Sequence, residues 1–191
     1  MNKKVLVIAV ALMAVAMLAT PLFGTVSACG NRRCEKQTEK IPVQFGGPYT
    51  LSPPEVKVCR NVQIGRGATM YYPGPFAIVD ISTTPPTLLV GGMESGATSL
   101  WAANYVVNTK TGKGVLCYDA IITIPSKGTF EGYVILLGTF SIVGPYANQQ
   151  EGFRYGVLHG TGNYQGWKLV VSAETTDGVT TFENYMYKPV T

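Results

Sequence analysis

The sequence is poor in charged residues, and those it has are not clustered. Charged side chains make up 14% of the 191 residues, and the formal net charge is +4 at pH 7. Beyond the first few residues, only Arg32 and Arg33 are adjacent basic residues. A nucleic-acid-binding domain needs a basic patch or stripe that follows the phosphate backbone. We therefore expect no nucleic acid among the partners of this protein.

The chain contains one histidine, His159, which limits the catalytic and metal sites that it can form. A serine or cysteine triad would have to use this residue as its base. The G-x-S-x-G nucleophile elbow of esterases is missing, because Ser95 in GMESG is one position off. The cysteines lack the paired C-x-x-C spacing of zinc sites. We expect no metal, no cofactor and no assignable catalytic residue.

The N-terminus resembles an export signal. Lys3 and Lys4 precede an unbroken apolar run over 5–19, and small residues follow at Ser27 and Ala28, where a signal peptidase would cut. This pattern predicts a signal peptide over 1–28. The protein would then be secreted, or anchored on the outer side of the cytoplasmic membrane. The alternative is an uncleaved anchor, because the uncharged stretch 5–26 is long enough to span a bilayer.

Four cysteines add two further predictions. The segment VSAC over 26–29 resembles the lipobox of bacterial lipoproteins, which makes Cys29 a lipidation candidate. Cys29, Cys34, Cys59 and Cys117 are also disulfide candidates, since an exported chain meets an oxidising environment. The pairing is open. Cys29–Cys34 would close a small loop, whereas Cys59–Cys117 would join two predicted strands.

The remainder of the chain has the pattern of an all-β protein. Residues 29–54 are rich in polar residues, proline and glycine, and predict an irregular lead-in. Residues 55–191 alternate apolar and polar positions between turn signals, which predicts hairpin-linked antiparallel strands. The predicted strands cover 55–65, 76–82, 87–93, 101–109, 114–124, 129–141, 152–160, 166–174 and 179–187.

Repeated glycines inside the long strands indicate a sheet that must bend. Such bending predicts one meandering antiparallel barrel of about eight strands. The segment GTGNYQG over 160–166 resembles the GTGxFxG-type segment of allene oxide cyclases, dirigent proteins and related small β-barrels. Trp167-Lys168-Leu169 departs from the small residues that usually follow. The resemblance implies an eight-stranded antiparallel barrel with an apolar cavity, and it carries over no catalytic residue.

Two groups of side chains are candidate binding residues. His159 shares a strand face with Tyr155 by the period of two, and Glu183 lies in another strand, so these three could line a pocket. Trp101, Tyr105, Tyr164 and Trp167 could stack on a glycan or hold an apolar ligand. The alternative for both groups is ordinary placement, with the polar groups solvated and the aromatic residues filling strands.

Three functions compete. The first is an exported protein, either secreted or membrane-tethered, with a non-enzymatic binding or structural role at the cell surface and a small apolar or glycan ligand. The second is a cyclase- or dirigent-like barrel that acts on a small apolar ligand in an internal cavity. The third is a lipoprotein subunit that contacts a partner protein. Polar groups converging in a cavity would favour the second function.

Overall fold

The computed structural model describes residues 38–190, which form an antiparallel β-structure with no α-helix in this range. The predicted signal peptide or anchor, and Cys29 and Cys34, lie outside the described residues. Within the described part, no helix has the length and apolarity to cross a membrane.

The strands are β1 Thr38–Gly46, β2 Thr50–Ser52, β3 Glu55–Cys59, β4 Val62–Tyr72, β5 Ala77–Asp80, β6 Thr87–Gly91, β7 Thr98–Asn108, β8 Lys113–Ile124, β9 Gly128–Val143, β10 Tyr146–Gly160, β11 Lys168–Thr176, β12 Val179–Phe182 and β13 Tyr185–Pro189.

The strands form one curled antiparallel sheet with the order β2-β4-β7-β8-β9-β10-β11-β13-β1-β5-β6. β3 pairs with β4 beside this path, and β12 pairs with β11. The strands from β7 to β11 are consecutive neighbours, which confirms the predicted meander. The prediction of a curled, barrel-like antiparallel sheet is confirmed, but the predicted number of about eight strands is wrong, because the sheet has thirteen. Part of the difference is a tight turn at Arg60, which has a φ of 55° and splits the predicted strand 55–65 into β3 and β4.

The predicted irregular lead-in 29–54 contains two strands in its described part. β1 pairs with β13 from Thr38 to Pro42 and with β5 from Val43 to Gly46. The change of partner falls directly after Pro42, which has no N–H to donate to a ladder. β2 then pairs with β4. Proline therefore marks a change of partner in β1 and does not prevent the strand.

The inner face of the curled sheet carries the hydrophobic core. On β7 the buried positions alternate strictly with more exposed ones, as a half-buried strand requires. Phe45 on β1 connects that strand to β7, because its ring stacks on the Trp101 ring with centroids 5.8 Å apart. The largest fully buried apolar side chains are Phe76, Phe130, Ile78, Ile122, Ile124, Leu158, Leu169 and Met186.

A row of three glycines lets the sheet curl. Gly114, Gly138 and Gly152 lie directly opposite one another on β8, β9 and β10. A Cβ at Gly138 would collide with the carbonyl oxygen of Glu151, and one at Gly152 with that of Leu137. Gly138 and Gly152 also have φ values of 154° and 123°, which L residues rarely adopt. The neighbouring backbones occupy the space that side chains would need, so these positions require glycine.

Replacing Gly138 by alanine should therefore destabilise the fold. We expect Gly138→Ala to lower the free energy of unfolding by about 2–4 kcal/mol, because it adds both a collision and backbone strain. The matched control is Gly46→Ala, since a Cβ at Gly46 meets nothing within 4 Å. Urea unfolding followed by circular dichroism measures both variants. Equal stabilities would show that the glycine row does not constrain the curl.

Candidate functional site

Strand β10 places one cation on the inner face of the sheet. Gly156, Leu158 and Gly160 are buried on this face, whereas Tyr155 and His159 point to the other face and are exposed. Arg154 shares the phase of the buried positions and is partly buried itself. An arginine at a core-facing position is unusual, because its charge loses solvation there. Arg154 is therefore the first residue to consider for function.

The neighbours of Arg154 are apolar and do not neutralise its charge. Leu136 on β9 and Ala173 on β11 lie directly opposite it. Phe182, which pairs with Ala173, has its ring centroid 5.2 Å from the guanidinium carbon. The Nε atom of Arg154 is buried and has no hydrogen-bond partner among residues 38–190. Among residues 38–190, the sole ion pair joins Lys57 to Glu55, so Arg154 has no carboxylate partner there.

Tyr118 on β8 adds a second polar group near Arg154. Burial raises the pKa of the Tyr118 hydroxyl, and the charge of Arg154 partly offsets that rise. Burial in turn lowers the pKa of Arg154, and Tyr118 opposes this effect. At neutral pH the tyrosine therefore keeps its proton and can donate a hydrogen bond, and arginine stays charged in proteins.

Together these groups can hold an anion. A guanidinium offers several N–H donors in a planar fork that matches a carboxylate, and such charge-assisted bonds are stronger than neutral ones. The apolar neighbours Leu136, Ala173 and Phe182 suit the hydrocarbon part of the same ligand. The described residues contain no group of three or more side chains that could bind a metal ion.

A second concave feature lies apart from Arg154. A surface groove of about 560 Å³ is lined by Leu88, residues 91–95 and Lys127. Its charged groups are Glu94 and Lys127, which are both exposed. Because solvent already hydrates these two charged groups, neither of them needs a hydrogen bond or an ion pair from a ligand. Arg154 is the better candidate.

The predicted pocket residues lie away from Arg154. His159 and Tyr155 share one face of β10, as their spacing predicted, and this is the exposed outer face. Glu183 is exposed in the connection between β12 and β13, where its backbone N–H donates to the carbonyl of Ser172. None of the three lines the inner face of the sheet.

Most of the predicted aromatic binding residues are buried instead of presented to a ligand. Trp101, Tyr105 and Tyr164 are each less than a tenth exposed. The Trp101 Nε1 atom donates to Ser99 Oγ at 2.8 Å, and the Tyr105 hydroxyl donates to the carbonyl of Pro145. Trp167 is half-buried and contacts the Tyr164 ring. The interpretation of Trp101, Tyr105 and Tyr164 as exposed stacking residues is wrong, because the first two point to the inner face of β7 and the third packs on Phe130.

The segment that suggested a family resemblance forms the connection between β10 and β11. Residues Gly162–Tyr164 make a single 3-10 turn. Tyr164 packs on Phe130, with ring centroids 5.0 Å apart, and the hydroxyls of Thr161 and Thr129 are 2.8 Å apart. The segment therefore anchors a turn to the core.

The Cys59–Cys117 disulfide is absent, and neither thiol is bonded to another cysteine within the described residues. Cys59 ends β3 and Cys117 lies on β8, with β4 and β7 between these strands. Three strand spacings place the two backbones on the order of 14 Å apart. A disulfide needs Cα atoms within about 7 Å. The pairing is therefore excluded by the order of strands, which the sequence does not reveal.

Comparison with known proteins assigns no family: no family model matches the chain, and neither a curated protein nor a solved structure does.

The isolation of Arg154 predicts a gain in stability when the charge is removed. We expect Arg154→Leu to raise the free energy of unfolding by about 1 kcal/mol, because a partly buried cation without a partner costs solvation energy. Arg66→Leu on β4 is the matched control, since Arg66 is exposed and should change little. Urea unfolding measures both. A loss of stability in Arg154→Leu would show that the arginine is a structural residue.

Proposed function

We propose that this chain is an exported binding protein that holds a small ligand with an apolar body and an anionic group. The observation that carries the proposal is the environment of Arg154, a cation on the inner face of the sheet whose Nε atom finds no hydrogen-bond partner in the described part of the chain. A ligand carboxylate at this position would pair with the guanidinium. The cost of partly burying the arginine would then be offset in the complex.

The surroundings favour an apolar ligand over a strongly polar one. Leu136 and Ala173 flank Arg154 in the sheet, and Phe182 faces its guanidinium. Phe182 is 55% exposed, so a ligand can reach this site from solvent. Apolar surface of the ligand would gain from leaving water, and the single charge would fix its orientation. A glycan, which offers neither a long apolar body nor an obligatory charge, is a poorer match.

Export is the part of the proposal that rests on the N-terminal sequence. The apolar run over 5–19 and the small residues before Cys29 support a signal peptide, followed by secretion or by lipidation of Cys29. A tethered form would act at the outer side of the cytoplasmic membrane. The binding role requires no catalytic group and no cofactor.

The pair of Arg154 and Tyr118 also supports the second candidate, a barrel enzyme of the cyclase or dirigent kind. A protonated tyrosine hydroxyl within the electrostatic influence of a cation could direct the reaction of a bound apolar molecule. The two functions differ in the fate of the ligand. Recovery of the bound compound unchanged after incubation supports a binding protein, whereas a new product supports the enzyme.

Binding of dodecanoate tests the proposal, with dodecanol as the uncharged analogue of equal chain length. We expect dodecanoate to bind at least tenfold more tightly, because one charge-assisted pair with a charged group contributes about 1.5–3 kcal/mol. Arg154→Leu should abolish that preference, and Arg154→Lys should keep part of it. Isothermal titration calorimetry at constant salt measures all four combinations.

The control is Arg66→Leu, which removes an exposed arginine and should leave dodecanoate binding unchanged. Lack of binding to either compound would remove the support for a long-chain ligand. Equal affinity of the native protein and Arg154→Leu for dodecanoate would contradict the role of Arg154.

A further inference from the structure

The outer face of strands β7 to β10 is largely apolar and has no partner in the described residues. Cross-strand pairing aligns Val106, Val115, Leu137 and Phe153 in one continuous row. The next row runs from Asn104 through Cys117 and Ile135 to Tyr155, and the third from Ala102 through Asp119 and Tyr133 to Val157. We call these three rows the outer apolar face. Asp119 is its one charged residue.

The size of the outer apolar face is that of a small interface. Tyr133 is 64% exposed, Tyr155 49% and Phe153 48%. An aromatic side chain buries 150–250 Å², so these three expose about 100 Å² each. With the aliphatic neighbours the face reaches roughly 500–600 Å², the upper end of the largest apolar patch on a typical monomer. Two such faces would bury about 1,000–1,200 Å² together, the lower limit for a specific interface.

We propose that the outer apolar face binds a second copy of this chain. The arrangement of its rows is self-complementary about a two-fold axis that lies in the interface, parallel to the strands, between β8 and β9. This axis places Val115 of one copy against Leu137 of the other, and Val106 against Phe153. Both pairs are apolar, and each occurs twice, as an isologous interface requires.

The same axis gives the lone charge a partner. It places Asp119 of one copy against Tyr133 of the other, so the tyrosine hydroxyl can donate to the carboxylate. Tyr133 is the most exposed aromatic residue of the face. Cys117 would face Ile135, so the contact does not depend on a disulfide. A foreign partner would need a matching apolar surface with a hydroxyl donor opposite Asp119, and the chain itself supplies both.

The curl of the sheet limits the strength of this contact. A convex outer face meets its copy mainly along β8 and β9, while the longer side chains of β7 and β10 reach across at the sides. Sheets pack about 10 Å apart with strands nearly aligned, which these side chains can fill. With an interface near the lower size limit, we expect a weak and reversible dimer. The dimer would form at the membrane surface or at high concentration.

Charge substitutions on the predicted axis test both the dimer and its geometry. Sedimentation velocity of the full-length protein, with a reducing agent, should show a monomer–dimer equilibrium between 1 and 300 µM. Val115→Glu alone and Leu137→Lys alone should each weaken dimerisation at least tenfold. An equimolar mixture of the two should recover a heterodimer, because the axis places position 115 of one copy against position 137 of the other.

Two controls separate this result from misfolding and from association through the N-terminal apolar run. Val179→Glu changes a valine on β12 that is more exposed than Val115 and lies outside the face, and it should not affect dimerisation. Tyr133→Ser keeps a small polar group beside the proposed axis and should weaken dimerisation without unfolding, as circular dichroism would verify. A protein that stays monomeric at 300 µM overturns the proposal. So does association that Val115→Glu, Leu137→Lys and Tyr133→Ser leave unchanged, or a mixture that fails to form the heterodimer.

Discussion

The curl of the sheet depends on the close approach of backbones at Gly138. Gly138 on β9 lies between two other glycines in the same cross-strand row, Gly114 on β8 and Gly152 on β10. Without side chains on the inner face at this row, the three longest strands of the meander can bend together. The bend brings β1 back over β7, where the Phe45 and Trp101 rings stack within 6° of parallel. The core therefore forms because a row of absent side chains lets β1 pack over β7.

The curl also gives the two faces of the sheet different environments. Side chains on the inner face converge, and aromatic residues such as Trp101, Tyr105 and Phe130 fill the space between them. Side chains on the outer face diverge, so Tyr133 and Tyr155 stay exposed although they are no more polar. A chain with so few charged residues cannot cover its outer face with them. An exposed apolar face is the direct consequence of that composition.

The sequence predicts the strands better than it predicts their arrangement. Apolar–polar alternation between turn signals predicted a strand at each of β7 to β11, because a strand buried on one face repeats with a period of two, although the predicted strand 152–160 missed the start of β10 at Tyr146. The strand count could not be predicted, since the turn at Arg60 uses a left-handed residue that is not glycine. The Cys59–Cys117 pairing could not be excluded, since strand order is a property of the whole sheet. Arg154 was not predicted to face inward, because most residues on the same face of β10, such as Gly156 and Gly160, are glycines. Glycine does not contribute to a pattern of apolar residues with a period of two.

Arg154 is a candidate binding residue because an apolar side chain at its position would make the fold more stable. Its neighbours Leu136 and Ala173 would accommodate leucine or methionine, which need no hydrogen bonds. The arginine instead leaves its buried Nε atom unsatisfied, and no carboxylate among residues 38–190 pairs with it. Unsatisfied groups are typical of sites that a ligand completes. On the same strand, Phe153 and Tyr155 point to the opposite face, so alternation along β10 gives one strand both a candidate ligand site and a candidate dimer contact.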